Sequence, residues 1–189
     1  KIALVCCSLL ILCSSAFTQV NGFKKTTAFD QTSKLSASEL YNIGYDYFLE
    51  KNWWQASEKF QEALQKNEAY SDAWYMLAKC SYEMNQFDLA IEYVSKAQKY
   101  AGEKSEYVNL KAFCYISTGN FKDAENIFNS ILKQYPNDIE ARFGLAELEL
   151  FSGKLTGAEG LYKDALKRQP SNVKALLSLA LVSTELGKR

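Results

Sequence analysis

Histidine does not occur in this 189-residue chain. Its absence removes the commonest general base and the commonest metal ligand. The sequence also lacks a Cys-x-x-Cys pair, a Walker-type phosphate loop and a Gly-x-Gly-x-x-Gly stretch. Neither sign of charge predominates, with 22 Lys and Arg against 22 Asp and Glu. With no block of like charge there is no basic stripe for nucleic acid, and no patch suited to a strongly acidic membrane surface. Glu147 and Glu149 stand close together, but neighbouring carboxylates on a helix are an ordinary solvated surface. Gly153 and Gly157 flank Leu155, where a turn needs freedom, and form no phosphate loop. No catalytic residue, metal site or cofactor is expected, and the chain reads as a non-enzyme.

Residues 2–12 are an apolar run preceded by Lys1 and followed by Ser14-Ser15-Ala16. This predicts a secretory signal peptide over 1–16, with an apolar core too short to span a bilayer. Cys13 opens an alternative, since an apolar run ending in Cys-Ser-Ser resembles a bacterial lipoprotein signal that would leave Cys13 lipidated. Leu12 departs from the small residue such signals carry before the cysteine. Either route predicts an exported domain, periplasmic or secreted. Residues 17–36 are rich in Thr, Ser, Gln and Lys and read as a flexible tether. Ser36 with Glu39 fits a capping box that opens the first helix.

What the chain does have is a period. Gly44, Ala78, Ala112, Ala146 and Ala180 stand 34 residues apart. Other columns share that spacing: Ala56, Ala90, Ala124 and Ala158; Phe60, Val94, Phe128 and Tyr162; Ala63, Ala97, Ile131 and Ala165. No single helix or strand has such a period, so a structural unit recurs along the chain. Each unit reads as two helices. Trp74, Leu77, Ala78 and Ser81 form one helical stripe, and Ala90, Val94 and Ala97 form another. Between the halves stand Lys51, Asn85, Gly119, Gly153 and Gly187, where a helix that ends needs a left-handed residue. Trp53, Phe87, Phe121 and Leu155 then cover the turn, and Trp54 points outward. The small residues let antiparallel helices approach, and Phe60 or Trp74 fills the gap to the next. One hairpin cannot bury both its faces, whereas a stack can.

This pattern resembles the tetratricopeptide repeat family. The resemblance rests on Trp74-Tyr75-Met76-Leu77-Ala78, on Ala56, Phe60 and Ala63, and on the closing Pro136 and Pro170. It implies an all-α, right-handed α-solenoid of helix-turn-helix units at 37–70, 71–104, 105–138 and 139–172, with the first helix of a fifth at 173–189. Glu68 and Gly102 replace the closing proline, Lys111 enters an apolar column, and Arg142 takes the aromatic place. Cys80 and Cys114 occupy equivalent places in adjacent units. Stacked helices sit about 8–10 Å apart, beyond disulfide reach, so two free buried thiols are expected.

In this family the first helices line a concave groove. Positions not used for packing give Tyr41, Tyr45, Phe48 and Leu49 in the first unit, and Tyr75, Lys79, Tyr82 and Glu83 in the second. The third gives Asn109, Phe113 and Ile116, and the fourth Phe143, Glu147, Leu150 and Phe151. So aromatic a face suggests a binding surface. The Lys, Asn and Arg set with which some members grip an acidic chaperone tail is matched only in pieces. The expected function is a protein-binding scaffold of a cell envelope, taking an apolar or mixed peptide segment. Alternatives are a carrier of a small apolar ligand such as a lipid tail, or an architectural spacer in a longer repeat protein. The last helix, apolar nearly all round, suggests a piece of such a protein, or a subunit contact through Leu177 and Leu181.

Overall fold

A computed structural model of the chain describes residues 34–187. The expected signal peptide over 1–16, Cys13 within it, and most of the tether over 17–36 lie outside those residues. The chain divides after Ser36, and the helical unit begins at Ala37.

The described residues form nine α-helices and no strand. They are α1 (Ala37–Leu49), α2 (Trp53–Lys66), α3 (Ser71–Glu83), α4 (Phe87–Ala101), α5 (Ser105–Ser117), α6 (Phe121–Gln134), α7 (Ile139–Phe151), α8 (Leu155–Arg168) and α9 (Val173–Glu185). First helices start at 37, 71, 105, 139 and 173, and second helices at 53, 87, 121 and 155. Every start therefore keeps the 34-residue period of the sequence. Each helix packs on the one that follows, as a stack of hairpins requires.

The turn inside each hairpin closes the same way. Lys51, Asn85, Gly119 and Gly153 have φ of 59°, 59°, 80° and 72°. The amide of the following residue then reaches back to the last turn: Asn52 to the Tyr47 carbonyl at 2.9 Å, Gln86 to Ser81 at 2.8 Å, Asn120 to Tyr115 at 2.8 Å, and Lys154 to Glu149 at 2.8 Å. These are Schellman closures, which use helix-end carbonyls that would otherwise lack donors. Lys51 adopts this backbone without being Gly or Asn, at a cost its counterparts avoid.

The alanine columns carry the core. Ala56, Ala90, Ala124 and Ala158 are fully buried, as are Ala78, Ala112 and Ala146. Phe60, Val94, Phe128 and Tyr162 fill the space between hairpins. Ala180, the last of the small-residue column, is exposed, because no helix follows α9 among the described residues. Leu176, Leu177 and Leu181 on α9 are exposed for the same reason. Cys80 and Cys114 are free and buried, and burial pushes both thiols up to about 12. Trp53 packs at 5.0 Å on Phe48, while Trp54 stands out in solvent.

One departure from the pattern has a clear physical role. Arg142, in the aromatic column, is buried, and its Nε donates to Asp164 Oδ2 at 2.7 Å. Its Nη2 donates to the Pro136 carbonyl. Two units earlier, the Trp74 indole donates to the Glu68 carbonyl at 2.8 Å. In these two units the position holds a flat side chain with an N–H aimed at the equivalent backbone carbonyl, and guanidinium meets both demands as indole does.

Candidate functional site: a cleft along the first helices

The first helices α3, α5 and α7, with the start of α9, enclose a cleft of about 700 Å³. Its lining includes Tyr75, Lys79, Tyr82, Glu83, Asn109, Phe113 and Glu147, seven of the residues named from the sequence. They stand one or two helical turns apart on adjacent first helices, which is why one face gathers them.

Each aromatic wall is braced from behind. Tyr75 packs on buried Tyr107 at 4.9 Å, Tyr82 lies edge-on to Phe87 at 5.6 Å, and Phe113 lies edge-on to Phe128 at 5.3 Å. The rings are therefore held in place rather than free to collapse into the cleft. Burial raises the Tyr75 hydroxyl above its ordinary value, and Glu106 adds to the shift.

Both lysines of the cleft rest on rings. Lys79 Nζ lies 4.9 Å from the Phe48 centroid and 5.8 Å from that of Tyr75. Lys174 Nζ lies 4.7 Å from Phe143 and 5.4 Å from Phe113. It also reaches Glu140 at 3.8 Å and Glu147 at 3.9 Å. Burial holds the Glu147 carboxyl above its usual value, an effect that Lys174 opposes. At the junction of α5 and α7, Asn109 Nδ2 donates to Asp138 Oδ1 at 3.0 Å. The same oxygen caps α7 by accepting from the Ala141 amide at 2.9 Å. Asn109 is only 5 % exposed, and its Oδ1 has no hydrogen-bond partner.

Eight other expected groove residues lie elsewhere, among them Leu49, exposed at the end of α1, and Leu150, packed against the Phe143 cluster. Tyr41, Tyr45 and Phe48 form an aromatic row on α1, with centroids 6.3 and 6.4 Å apart, outside the cleft lining. Tyr41 also packs on Phe60 and Tyr70, and burial pushes its hydroxyl up to about 12. Phe48 touches the cleft only through Lys79. Ile116 is corrected to the core: it is 7 % exposed and packs with Phe128 and Leu148. Phe143 is likewise a core residue, 1 % exposed, because Tyr162 backs it and Ala175 of α9 shares its cluster. Phe151 is exposed but stacks on Phe121 at 5.3 Å near the hairpin turns, away from the cleft lining.

The cleft is also less apolar than expected. Glu83, Glu106, Asp138, Glu140 and Glu147 line it. Three of these, Glu106, Asp138 and Glu140, escaped the sequence reading, as did Lys174. A signal was present: Asp72, Glu106 and Glu140 stand 34 apart, each in the first turn of a first helix. Acids there also suit the positive helix end, so the column has a structural reason as well. Glu149 lies apart from Glu147 in role, pairing with Lys154 at 3.3 Å. Among the described residues no group of three or more His, Cys, Asp or Glu is placed to hold a metal ion. No described helix is long and apolar enough to cross a membrane.

A family model described as tetratricopeptide repeat matches residues 47–114 and 115–180. The uncharacterized protein ycf37 of Guillardia theta is 27 % identical over 132 residues, which cover 66 % of this chain and 71 % of that protein. Among solved structures, YrrB, described as a TPR protein with an unusual peptide-binding site, matches with a TM-score of 0.57 at 16 % identity, over 88 % of this chain and 86 % of its own. The Pseudomonas aeruginosa protein pilF matches with a TM-score of 0.65 at 18 % identity, over 82 % and 69 %. At such identities the two structures speak for a shared fold alone.

Proposed function

Because the chain belongs to the tetratricopeptide repeat family, a family of protein-interaction modules, we propose that it is a scaffold that holds a peptide segment of a partner protein in the cleft of α3, α5 and α7. The observation that carries this reading is the set of braced rings, Tyr75, Tyr82 and Phe113, that stay half-open to solvent around one cleft. Rigid aromatic surface gives contact area at little entropic cost, which is what a binding face needs. The five carboxylates favour a peptide over a lipid tail, since an apolar chain would strip water from charges whose pairing is incomplete. We further propose that the scaffold works outside the cytoplasm, in a cell envelope, on the strength of the apolar run at 2–12 and Ser14-Ser15-Ala16.

Selection of a random peptide library on the purified chain tests the binding reading. Selected peptides should lose at least about tenfold in affinity when Tyr75 and Phe113 are both changed to Ala, with far-UV circular dichroism unchanged. Peptides that bind the double variant as well as the parent would place recognition elsewhere and refute the cleft.

A further inference from the structure

The cleft has a charge character that the chain as a whole lacks. Overall the sequence is neutral, yet five carboxylates line the cleft against two ammonium groups, Lys79 and Lys174. The pairing inside it is incomplete. Lys174 stands 3.8–3.9 Å from two of the carboxylates, Glu140 and Glu147. Asp138 is spent on the α7 cap and on Asn109. Glu106 meets Lys104 at 3.9 Å on the rim. Glu83 is exposed at the end of α3.

The rings supply a second, independent indication. Both cleft lysines already sit over aromatic faces, at 4.7 to 5.8 Å. The chain's own ammonium groups thus settle on this aromatic and acidic lining, which shows that it favours cations. Asn109 Oδ1 adds an acceptor that lacks a donor.

We infer that the occupant of the cleft is a basic amphipathic segment of a partner protein, with Lys or Arg side chains alternating with large apolar ones. This inference rests on the peptide-scaffold reading above and names the chemistry of its partner. Apolar side chains would lie on Tyr82, Leu110 and Phe113, and cationic heads would reach Glu83 and Glu140 at the two sides. An acidic segment would meet the carboxylate excess and be repelled.

The test uses two labelled synthetic peptides of equal length, one an amphipathic Lys-Leu sequence and the other with Glu replacing every Lys. Fluorescence anisotropy on the full chain at about 50 mM salt should show the Lys peptide binding at least about tenfold more tightly. Its affinity should fall as salt rises. The exposed double substitution Glu83→Gln with Glu140→Gln should weaken the Lys peptide about tenfold without strengthening the Glu peptide to match. Three results would overturn the inference: equal binding of both peptides, tighter binding of the Glu peptide, or Lys-peptide affinity indifferent to the double substitution. If neither charged peptide binds while library-selected peptides still depend on Tyr75 and Phe113, the inference falls and the cleft stands. If no peptide of either kind binds, both fall.

Discussion

A glycine inside a helix usually invites improvement, and Gly144 should be the exception. It lies in α7, and a Cβ built there would stand 2.0 Å from Phe128 Cζ and within 2.4 Å of two further ring atoms. Carbon atoms in ordinary contact stand about 3.5–4.0 Å apart, so the ring would have to move by roughly 1.5 Å. Phe128 is fully buried and has no free side to move toward. Overpacking of this kind costs about 1–3 kcal/mol. The helix-propensity gain of Gly→Ala, about 1 kcal/mol, offsets only part of it. Gly160 in α8 is the control, since a Cβ there meets nothing within 4 Å. Gly160→Ala should therefore raise stability by about 1 kcal/mol, and Gly144→Ala should lower it by about the same amount. Urea titrations followed by circular dichroism at 222 nm would compare the two midpoints. The previous junction suggests a rescue, because Val94 there shares a cluster with Leu110, which holds the place of Gly144. Phe128→Val should relieve the clash, so that Gly144→Ala costs less in that background than alone. Equal midpoints for the two alanine variants would refute the close approach.

Lys51 is the only residue of the turn column that is neither Gly nor Asn, and its φ is 59°. Lys51→Gly should stabilise the first hairpin by about 0.5–1 kcal/mol, the left-handed cost of a side chain less the extra chain entropy of glycine. Thermal melts would check it, and a lower midpoint would count against the strain. Asp164 has its carboxyl held below the ordinary 3.8, first by the hydrogen bond from Arg142 and then by its charge. A depressed native value means stability that is present above the unfolded pKa and lost as pH falls through the native one. Asp164→Asn should therefore cost about 1 kcal/mol at neutral pH, a modest figure because the carboxylate is partly solvent-screened. Far-UV circular dichroism melts across pH should show the difference from the parent closing as pH falls below the ordinary carboxylate value and Asp164 becomes protonated in the folded protein.

The fold was legible because packing imposes the same demand at every unit. Ala56, Ala90, Ala124 and Ala158 recur because each second helix must approach its partner at the same point. Lys51, Asn85, Gly119 and Gly153 recur because each hairpin turns the same way. The cleft was half legible, since its positions keep the period but its residue types do not, as Lys79, Phe113 and Glu147 in one column show. Tyr75, Asn109 and Phe143 share one column, yet the first lines the cleft, the second lies nearly buried at its edge, and the third is core. What decides among them is the next unit. Helix α9 sets the small Ala175 and Lys174 on Phe143, whereas the equivalent place beside Tyr75 holds the larger Tyr107, which packs on it at 4.9 Å and leaves it half-buried. The acids escaped because they lie at helix starts, where their local role beside the backbone amides is sufficient reason for them.

The aromatic column holds a further regularity that can be tested as a pair. Trp74 faces Lys96, whose Nζ lies 4.7 Å from its ring centroid. Arg142, two units on, faces Asp164, and Asp164 stands where Lys96 stands in its own unit. Flat partner and charged partner have changed together, from indole over ammonium to guanidinium against carboxylate. Either single exchange should harm α7 and α8. Arg142→Trp takes the guanidinium from Asp164, leaving Arg168 at 3.5 Å as its nearest cation. Asp164→Lys sets an ammonium against a buried guanidinium, which costs more, since like charges at short range repel and one of them lacks water. The double exchange recreates the arrangement of α3 and α4. Its indole can donate to the Pro136 carbonyl as Trp74 does to Glu68, and its lysine can lie over the ring. A double-mutant cycle on urea midpoints should then give a favourable coupling of about 1–3 kcal/mol. Strict additivity would mean that the two positions do not sense each other, and that Arg142 holds its place through the Pro136 and Asp138 carbonyls alone.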